Sequence, residues 1–344
     1  MPAGSSHASF LRAVESNGAC MSDYTMATGD SASSRGTVFV FPGQGWQWTR
    51  ALTDMLDLVP AFADEMRRCD AALGEFADWS LIEAVRTPPT SAIRDRVDVT
   101  QPMLFAAMVS LAAQWRALAV YPDAVLGHAQ GEVAAAYVAG ALSLRDAAKV
   151  IVTGSQAMAT LAERGGMVSI EWPVERVVDL IEPWATSIAV AAQNGPSWTV
   201  VTGDSAAVDE LMSHCEKYGL PAARMSGACA AHSAQVEALR EVLRPTLSGL
   251  QPRRAGVAFI SGVTGAALDT SILEGDYWIA NLRQPVLFEQ AVRWCYEHGY
   301  RTFLEATPFP SLGVGIQQAL DEFGGSAPAE LRWWTSALTA PPPN

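Results

Sequence analysis

The stretch Ala124-Val-Leu-Gly-His-Ala-Gln-Gly-Glu132 joins two patterns that together indicate the fold. Its first three residues form an apolar run typical of a buried strand, and residues 132–139 have helical spacing. The glycines at 127 and 131 allow a sharp turn between the two elements. A second β-rich run, Thr37-Val-Phe-Val-Phe41, ends in the turn Pro42-Gly-Gln-Gly45. Strands that alternate with helices predict a parallel sheet covered on both faces.

The remaining elements divide the chain into two units. Helical periodicity spans residues 51–75 and 98–118, and the second segment places Leu104, Met108, Leu111 and Trp115 on one face. Residues 165–230 differ, because they hold four short strands and two helices in the order β-α-β-β-α-β, a ferredoxin-like pattern. The predicted strands are 167–170, 187–190, 198–202 and 222–225, and the predicted helices are 173–182 and 205–218.

Composition excludes several classes of function. The net charge of −13 repels nucleic acid and anionic membrane surfaces, so we expect neither as a partner. No apolar run reaches 18 residues, so no transmembrane helix is predicted. The cysteines have no CxxC spacing, which favours reduced thiols in a cytoplasmic protein and no metal site. They are Cys20, Cys69, Cys215, Cys229 and Cys295.

The chain ends carry little pattern. Residues 1–35 are rich in small residues and are predicted to be a flexible leader, and residues 338–344 end in a proline run and are predicted to be a tail. The start at Met1 favours a free-standing protein.

The pentapeptide Gly127-His-Ala-Gln-Gly131 has the layout of a nucleophile elbow, G-x-S-x-G, between a strand and a helix. Such an elbow presents its central side chain at a helix N-terminus, where backbone N–H groups stabilise an oxyanion. Here the centre is Ala129, which has no atom able to attack a carbonyl. Taken alone, the pentapeptide is equally compatible with an ordinary glycine turn.

Further motifs, in a characteristic order, support the elbow interpretation. From about residue 37 to 320 the chain resembles the malonyl-type acyltransferases of fatty-acid and modular polyketide synthases. The motifs are Phe41-Pro-Gly-Gln-Gly45, Gln101-Pro102, Gly127-His-Ala-Gln-Gly-Glu132, Asn194-Gly-Pro196, Ala231-His-Ser233, Asn281-Leu-Arg283 and Pro285-Val286. The resemblance implies an α/β-hydrolase-like parallel-sheet core, residues 36–164 and 231–337, with an inserted ferredoxin-like α+β subdomain at 165–230.

The resemblance also assigns roles in the site. Position 129 is expected to hold the acyl-serine intermediate, and His232 to be its general base, because imidazole titrates near working pH. Backbone N–H groups of Gln44 and Gln130 are expected to form the oxyanion hole. His128 is expected to line the pocket. Asn281 matches the position whose backbone carbonyl orients the base, or is simply a turn residue.

Departures from the family pattern bear on the substrate. Dicarboxylate-using members carry an arginine about 25 residues after the serine, which grips the free carboxylate. In the matching stretch, Ile151 to Met158, that position is Gly154. A buried carboxylate without a partner costs several kcal/mol, so we expect an acyl group without a terminal carboxylate. The alternative is that another arginine substitutes.

The segment before the base also departs from the family pattern. It is Cys229-Ala-Ala-His232, and the small side chains, Ala231 among them, leave volume beside the acyl chain. Phe309 stands where the family usually has histidine. Together with Met158, these residues are expected to line a wider and less charged acyl pocket.

The predicted activity is ping-pong transfer from an acyl-CoA or acyl carrier protein thioester, through residue 129, to the phosphopantetheine thiol of an acyl carrier protein. No bound cofactor is expected. A hydroxyl of a small natural product is an alternative acceptor, and a catalytically dead carrier-binding scaffold is an alternative role. Ala129 is either a natural inactivation or an engineered replacement of serine; retention of His232, Gln44 and the elbow glycines favours the second.

Docking of an acidic carrier requires a basic patch on this acidic chain. Arg240 and Arg244 are four residues apart and share a helix face, and three further arginines complete the candidate patch: Arg253, Arg254 and Arg283. The alternative is that these side chains only solubilise the helix or pair with Glu237 and Glu241.

Overall fold

The computed structural model describes residues 36–43, 49–88, 91–161, 165–225, 230–308, 311–323 and 330–333. The predicted leader 1–35 and tail 338–344 lie outside these ranges, as do three predicted site residues, Gln44, Cys229 and Phe309.

The described elements alternate between strands and helices. The strands are β1 (Thr37–Phe41), β2 (Ala124–Gly127), β3 (Gly165–Ile170), β4 (Ile188–Gly195), β5 (Trp198–Asp204), β6 (Ala222–Arg224), β7 (Ala258–Ser261), β8 (Ala266–Leu268), β9 (Thr302–Glu305) and β10 (Glu330–Trp333). The α-helices are α1 (Thr49–Leu58), α2 (Pro60–Leu73), α3 (Leu81–Arg86), α4 (Val97–Ala117), α5 (Gly131–Ala139), α6 (Leu144–Ala159), α7 (Val174–Ile181), α8 (Ser205–Tyr218), α9 (Arg240–Thr246), α10 (Gly275–Arg283), α11 (Phe288–Glu297) and α12 (Gly313–Glu322).

The larger sheet has the strand order β10-β9-β1-β2-β7-β8. Its first five strands are parallel, and β8 closes one edge as the antiparallel arm of a hairpin with β7. In β1, Phe39 and Phe41 enter one hydrophobic core, while Val38 and Val40 enter another on the opposite face. Both faces of the sheet are therefore covered, which confirms the predicted parallel-sheet α/β core.

Both segments with helical periodicity are helical, and the structure adds detail to each. The periodic segment 51–75 forms two helices, because Pro60 begins α2 and has no backbone N–H to continue α1. The helix predicted to bury one face, α4, is buried on nearly all sides from Met103 to Ala112. It packs against both α2 and α6, which cover this segment, whereas Ala113, Gln114 and Arg116 near its end are partly exposed.

The smaller sheet has the order β4-β5-β3-β6, and every pairing in it is antiparallel. With α7 and α8 packed on it, this is the ferredoxin-like arrangement. Its own core includes Val168, Val201, Val208 and Leu211. All four strands fall within the predicted insert 165–230, whose residue boundaries remain a prediction.

The smaller sheet meets the larger unit at a short backbone contact. The N–H of Gln193 in β4 donates to the carbonyl of Val286, and the N–H of Val286 donates to Ala191. This contact brings the smaller sheet beside the chain between α10 and α11. Within the ranges given above, no helix is long and apolar enough to cross a membrane.

Candidate active site

The turn between β2 and α5 is closed by glycines that no other residue can replace without movement. A Cβ atom on Gly127 would lie 2.3 Å from Cα of Glu132, and one on Gly131 would lie 2.1 Å from the carbonyl oxygen of Phe41. Both contacts are with backbone or Cα atoms, which cannot rotate away. The close approach of strand and helix is the physical reason for the two glycines of the pentapeptide.

Between these glycines, Ala129 has a φ of 51°, in the left-handed region. This conformation costs an L-residue roughly 1–2 kcal/mol. Two hydrogen bonds to its carbonyl oxygen hold it there, from the Glu132 N–H at 3.0 Å and from the Asn281 side-chain amide at 3.1 Å. The turn thus has the strained geometry of a nucleophile elbow, with a methyl group at its centre.

The turn that follows β1 lies directly against the elbow. A Cβ on Gly43 would be 2.7 Å from the His128 carbonyl oxygen and 3.2 Å from the Cβ of Ala129. Gln44, the predicted oxyanion donor, is the next residue but lies outside the described ranges. The backbone N–H of Gln130, the second predicted donor, has no acceptor among the described residues and stands at the N-terminus of α5.

His232 also has a left-handed backbone, with a φ of 57°, and its side chain is buried. Its N–H donates to the Leu282 carbonyl at 2.9 Å, and its Nδ1 lies 2.7 Å from the Gln284 carbonyl oxygen. Since a carbonyl only accepts, Nδ1 carries the proton and Nε2 is left as the basic nitrogen. Burial, together with nearby His128, lowers the pKa of His232 to about 4. The ring is therefore neutral at pH 7.

The carbonyl that orients His232 differs from the expected one. We expected the backbone carbonyl of Asn281, but that residue lies inside α10, whereas Gln284 caps the helix in an extended conformation. A carbonyl beyond the last helical turn is free to accept from a side chain. Asn281 instead uses its side chain, on the carbonyl of Ala129.

His128 joins the elbow to the smaller sheet. Its Nε2 lies 2.7 Å from Oδ1 of Asn194 in β4, and its ring packs against Phe288. Burial lowers the pKa of His128 below its usual value, so the ring is neutral and Nε2 donates. Its buried Nδ1 has no hydrogen-bond partner within the described part of the chain. The motif Asn194-Gly-Pro196 was seen in the sequence, but this contact of Asn194 was not predicted.

A small, mainly apolar pocket opens beside the first turn of α5. None of its described lining residues carries a positive charge. Gly154, which stands at the position of the family's arginine, is one of these lining residues. A Cβ on Gly154 would meet only Cδ1 of Leu282, at 3.7 Å, so a side chain has room to start there. The lining residues are Gln130, Val133, Val150, Ile151, Gly154, Leu247, Trp278, Asn281 and Leu282.

Two other predicted pocket residues are not among the described lining of this pocket, and their role beside the acyl chain remains a prediction. Met158 is fully buried in the core and is absent from the described lining of this pocket. Ala231 is half-buried and packs between the two large hydrophobic cores, next to His232.

The predicted docking arginines are mostly paired with carboxylates. Arg240 and Arg283 both contact Glu237, at 3.0 and 3.2 Å, and Arg244 contacts Asp276 at 3.0 Å. Arg253 and Arg254 are exposed. The alternative pairing with Glu237 is therefore present, and Asp276 takes the place expected for Glu241. These pairs reduce the positive charge of the patch, whose docking role remains a prediction.

One buried carboxylate near the elbow was not predicted. Glu132 is fully buried in the first turn of α5 and accepts hydrogen bonds from the Gly262 N–H at 2.8 Å and from the Tyr277 hydroxyl. Burial raises its pKa to about 8. The only signal in the sequence was its place in the motif Gly127 to Glu132. In the described ranges no cluster of His, Cys, Asp or Glu is arranged to hold a metal ion.

Residues 38–332 match the family described as "Acyl transferase domain". The chain is 49% identical over 294 residues to Mycoketide-CoA synthase of Mycobacterium tuberculosis, a match that covers 86% of this chain and 7% of that protein. The acyltransferase domain from module 8 of the salinomycin polyketide synthase superposes with a TM-score of 0.82 at 46% identity, over 87% of this chain and 71% of that one.

A loading acyltransferase from the avermectin modular polyketide synthase also has a TM-score of 0.82, at 40% identity, over 87% of this chain and 93% of that one. The chain thus spans a small fraction of the synthase it matches and most of each solved domain. These matches agree with the fold and with the strained turn before α5. The chain belongs to the acyl transferase domain family, of the polyketide synthase type.

Proposed function

We propose that this chain has the active-site frame of a polyketide acyltransferase and that its serine form transfers acyl groups through residue 129. The observation that carries the proposal is the pairing of a strained elbow with a buried neutral imidazole. Ala129 and His232 both contact the same short segment, residues 281–284. The Gln284 carbonyl accepts from Nδ1 of His232, which leaves Nε2 as the nitrogen that can act as a base. As it stands, Ala129 provides no nucleophile, so we propose that the chain itself is inactive.

In the serine form, Nε2 of His232 takes the hydroxyl proton as the oxygen attacks the thioester carbonyl. The tetrahedral intermediate then expels the thiolate, which receives the proton from the imidazolium, and the acyl-serine ester remains. In the second half, His232 takes the proton of the acceptor thiol. The sulfur attacks the ester, the C–O bond breaks, and the serine oxygen regains the proton.

The negative oxygen of each tetrahedral intermediate needs donors. The N–H of Gln130 is available at the N-terminus of α5, where the helix dipole adds positive potential. The turn containing Gly43 lies against Ala129, which supports the N–H of Gln44 as the second donor.

The acyl group is proposed to lack a terminal carboxylate. The described lining of the pocket is apolar apart from Gln130 and Asn281, and Gly154 offers no countercharge. A carboxylate placed there would lose its hydration without gaining a cation. Cys229 and Phe309 are proposed to extend the same apolar surface.

The donor is proposed to be a coenzyme A or carrier-protein thioester, and the acceptor the phosphopantetheine thiol of an acyl carrier protein. Support comes from the relatives, since the matched solved chains are domains of modular polyketide synthases. Ala129 itself favours a second candidate, a carrier-binding domain without catalysis.

Restoring serine separates the two candidates. The Ala129→Ser protein should gain the mass of one acyl group when incubated with acyl thioesters, and intact-protein mass spectrometry measures this directly. A serine form that stays unmodified with short, long and peptidyl acyl thioesters would contradict the acyltransferase proposal.

A further inference from the structure

The carboxylate of Glu132 is a buried group beside the elbow that has no part in the mechanism above. Its Oε1 accepts from the Gly262 N–H at 2.8 Å, and its Oε2 accepts from the Tyr277 hydroxyl. It belongs to the first turn of α5, immediately after the elbow, while Tyr277 is on α10. The carboxylate therefore ties the elbow helix to α10.

The direction of the hydrogen bond between Tyr277 and Glu132 follows from the groups that donate to Ser261. Its Oγ accepts from the N–H groups of Val263 at 3.0 Å and Thr264 at 3.1 Å. The Ser261 hydroxyl proton is then free to donate to the Tyr277 oxygen, 2.7 Å away. Tyr277 in turn donates to Glu132. The hydroxyls of Ser261 and Tyr277 are thus both hydrogen-bonded, so this set of bonds specifies one position for α10.

The same helix and its cap hold both reacting positions. Tyr277 and Asn281 are four residues apart in α10 and so share a face. Asn281 donates to the Ala129 carbonyl, while the carbonyls that follow it, of Leu282 and Gln284, accept from the backbone and ring of His232. A shift of α10 would therefore move the elbow and the imidazole relative to each other.

We propose that Tyr277 and Glu132 are positioning residues that set α10, and through it the alignment of residue 129 with His232. Neither side chain is assigned a contact with substrate. The inference rests on the proposed function for its effect on rate, because a misplacement of about 1 Å between reacting groups costs about 100-fold in rate.

A matched pair of variants tests this role. Tyr277→Phe removes the hydroxyl that reaches Glu132, and Tyr137→Phe removes a hydroxyl that reaches another buried carboxylate, Glu65, at 2.7 Å. Tyr137 is on the same helix as Glu132, but the partner of Tyr137, Glu65, is on α2 and not on α10. Both variants lose one tyrosine–glutamate hydrogen bond. Tyr277→Phe also removes the acceptor of the Ser261 hydroxyl, so its loss of stability should be the larger of the two.

In the Ala129→Ser background, single-turnover acylation is measured over a range of thioester concentrations. Tyr277→Phe should lower the maximal rate by about tenfold to 100-fold and leave the half-saturating concentration within about twofold. Tyr137→Phe should leave both parameters unchanged. Equal effects of the two variants, or an unchanged rate in Tyr277→Phe, would overturn the proposal. If Tyr277→Phe does not fold, Glu132→Gln, which alters the other partner of the same hydrogen bond, takes its place with the same expected rate loss.

A second measurement does not depend on catalysis. In the chain with Ala129, the imidazole ¹⁵N and ¹H resonances of His232, assigned by their loss in His232→Gln, report on its bond to Gln284. Tyr277→Phe should shift these resonances and Tyr137→Phe should not. A shift together with a serine form that never acylates would reject the proposed function and keep the positioning role. Unshifted resonances would reject the positioning role whatever the acylation result.

Discussion

Ala129 and His232 share an uncommon backbone conformation, with φ values of 51° and 57°, and both are hydrogen-bonded to the segment that ends α10. Non-glycine residues in the left-handed region are held there by their surroundings and often lie at functional sites. In this protein one segment, the end of α10 and its cap, holds both residues. Asn281 contacts Ala129, and Leu282 and Gln284 contact His232. The elbow and the base are thus positioned as a unit.

The first prediction concerns the nucleophile. The chain with Ala129 should form no acyl-enzyme with any thioester, whereas Ala129→Ser should be acylated once per chain. A methyl group cannot attack a carbonyl, and a serine in the same left-handed turn presents its oxygen at the N-terminus of α5. Intact mass after incubation with a panel of acyl thioesters gives the result. Peptide mapping should place the modification at residue 129 and nowhere else.

The second prediction concerns the base and its pH dependence. In the serine form, His232→Ala should slow acylation by about 10²–10⁴-fold, the usual scale for a lost general base. Because burial lowers the pKa of His232 to about 4, the imidazole stays unprotonated well below pH 7. The acylation rate should therefore hold steady as the pH falls to about 6 and decline to half near pH 4. A loss below tenfold in His232→Ala would exclude the role, and a midpoint at the ordinary histidine value of about 6.5 would contradict the assigned environment.

The third prediction concerns selectivity. In competition, the serine form should take monocarboxylic acyl groups in preference to malonyl or methylmalonyl, because the described pocket lining has no cation. Adding Gly154→Arg should raise malonyl acylation at least about tenfold, since a guanidinium pairs with a carboxylate in two hydrogen bonds. Gly154→Met is the control of similar length without charge and should not raise it. A malonyl preference in the unmodified serine form would show that another cation serves the pocket.

The fourth prediction concerns the elbow glycines and needs no activity. Gly131→Ala in the present chain should lower the free energy of unfolding by about 3 kcal/mol or more, because the new Cβ would lie 2.1 Å from the Phe41 carbonyl oxygen. Gly256→Ala is the control, since nothing lies within 4 Å of a Cβ there, and its effect should stay within about 0.5 kcal/mol. Urea unfolding measures both. Similar values for the two variants would show that the turn relaxes freely.

The fifth prediction concerns carrier docking. Arg240 and Arg244 make exposed ion pairs, which water and salt screen, so the side chains are free to re-pair with a partner. Reversing both to glutamate in the serine form should weaken transfer to an acyl carrier protein. Self-acylation from a small pantetheine thioester should stay within about twofold, because it involves no protein contact. Arg67→Glu, on the surface of α2, is the control. Equal loss in both assays, or in neither, would reject this docking surface.

The sequence by itself determined the local features of this protein. The elbow pattern is visible in the short stretch 127–132, where a Cβ on Gly127 would collide with Glu132. The contact that requires Gly131 is with Phe41 on β1, so its cause lies outside that stretch. The two-sided sheet and the inserted ferredoxin-like order follow from apolar runs and their spacing. His232 was identified as a candidate base because its motif, Ala231-His-Ser233, stands among the other family motifs in the characteristic order.

Only the tertiary structure decided which groups meet. Gln284, and not Asn281, accepts from His232 because the cap of α10 leaves its carbonyl free, and Asn281 reaches a carbonyl 152 positions away. The Tyr277–Glu132 bond spans 145 positions, and the partners of Arg244 and His128 lie on separate elements. Hydrogen bonds between distant elements depend on how the helices pack on the sheet. Residue type and spacing along one chain specify which groups can bond, whereas packing decides which of them come within 3 Å.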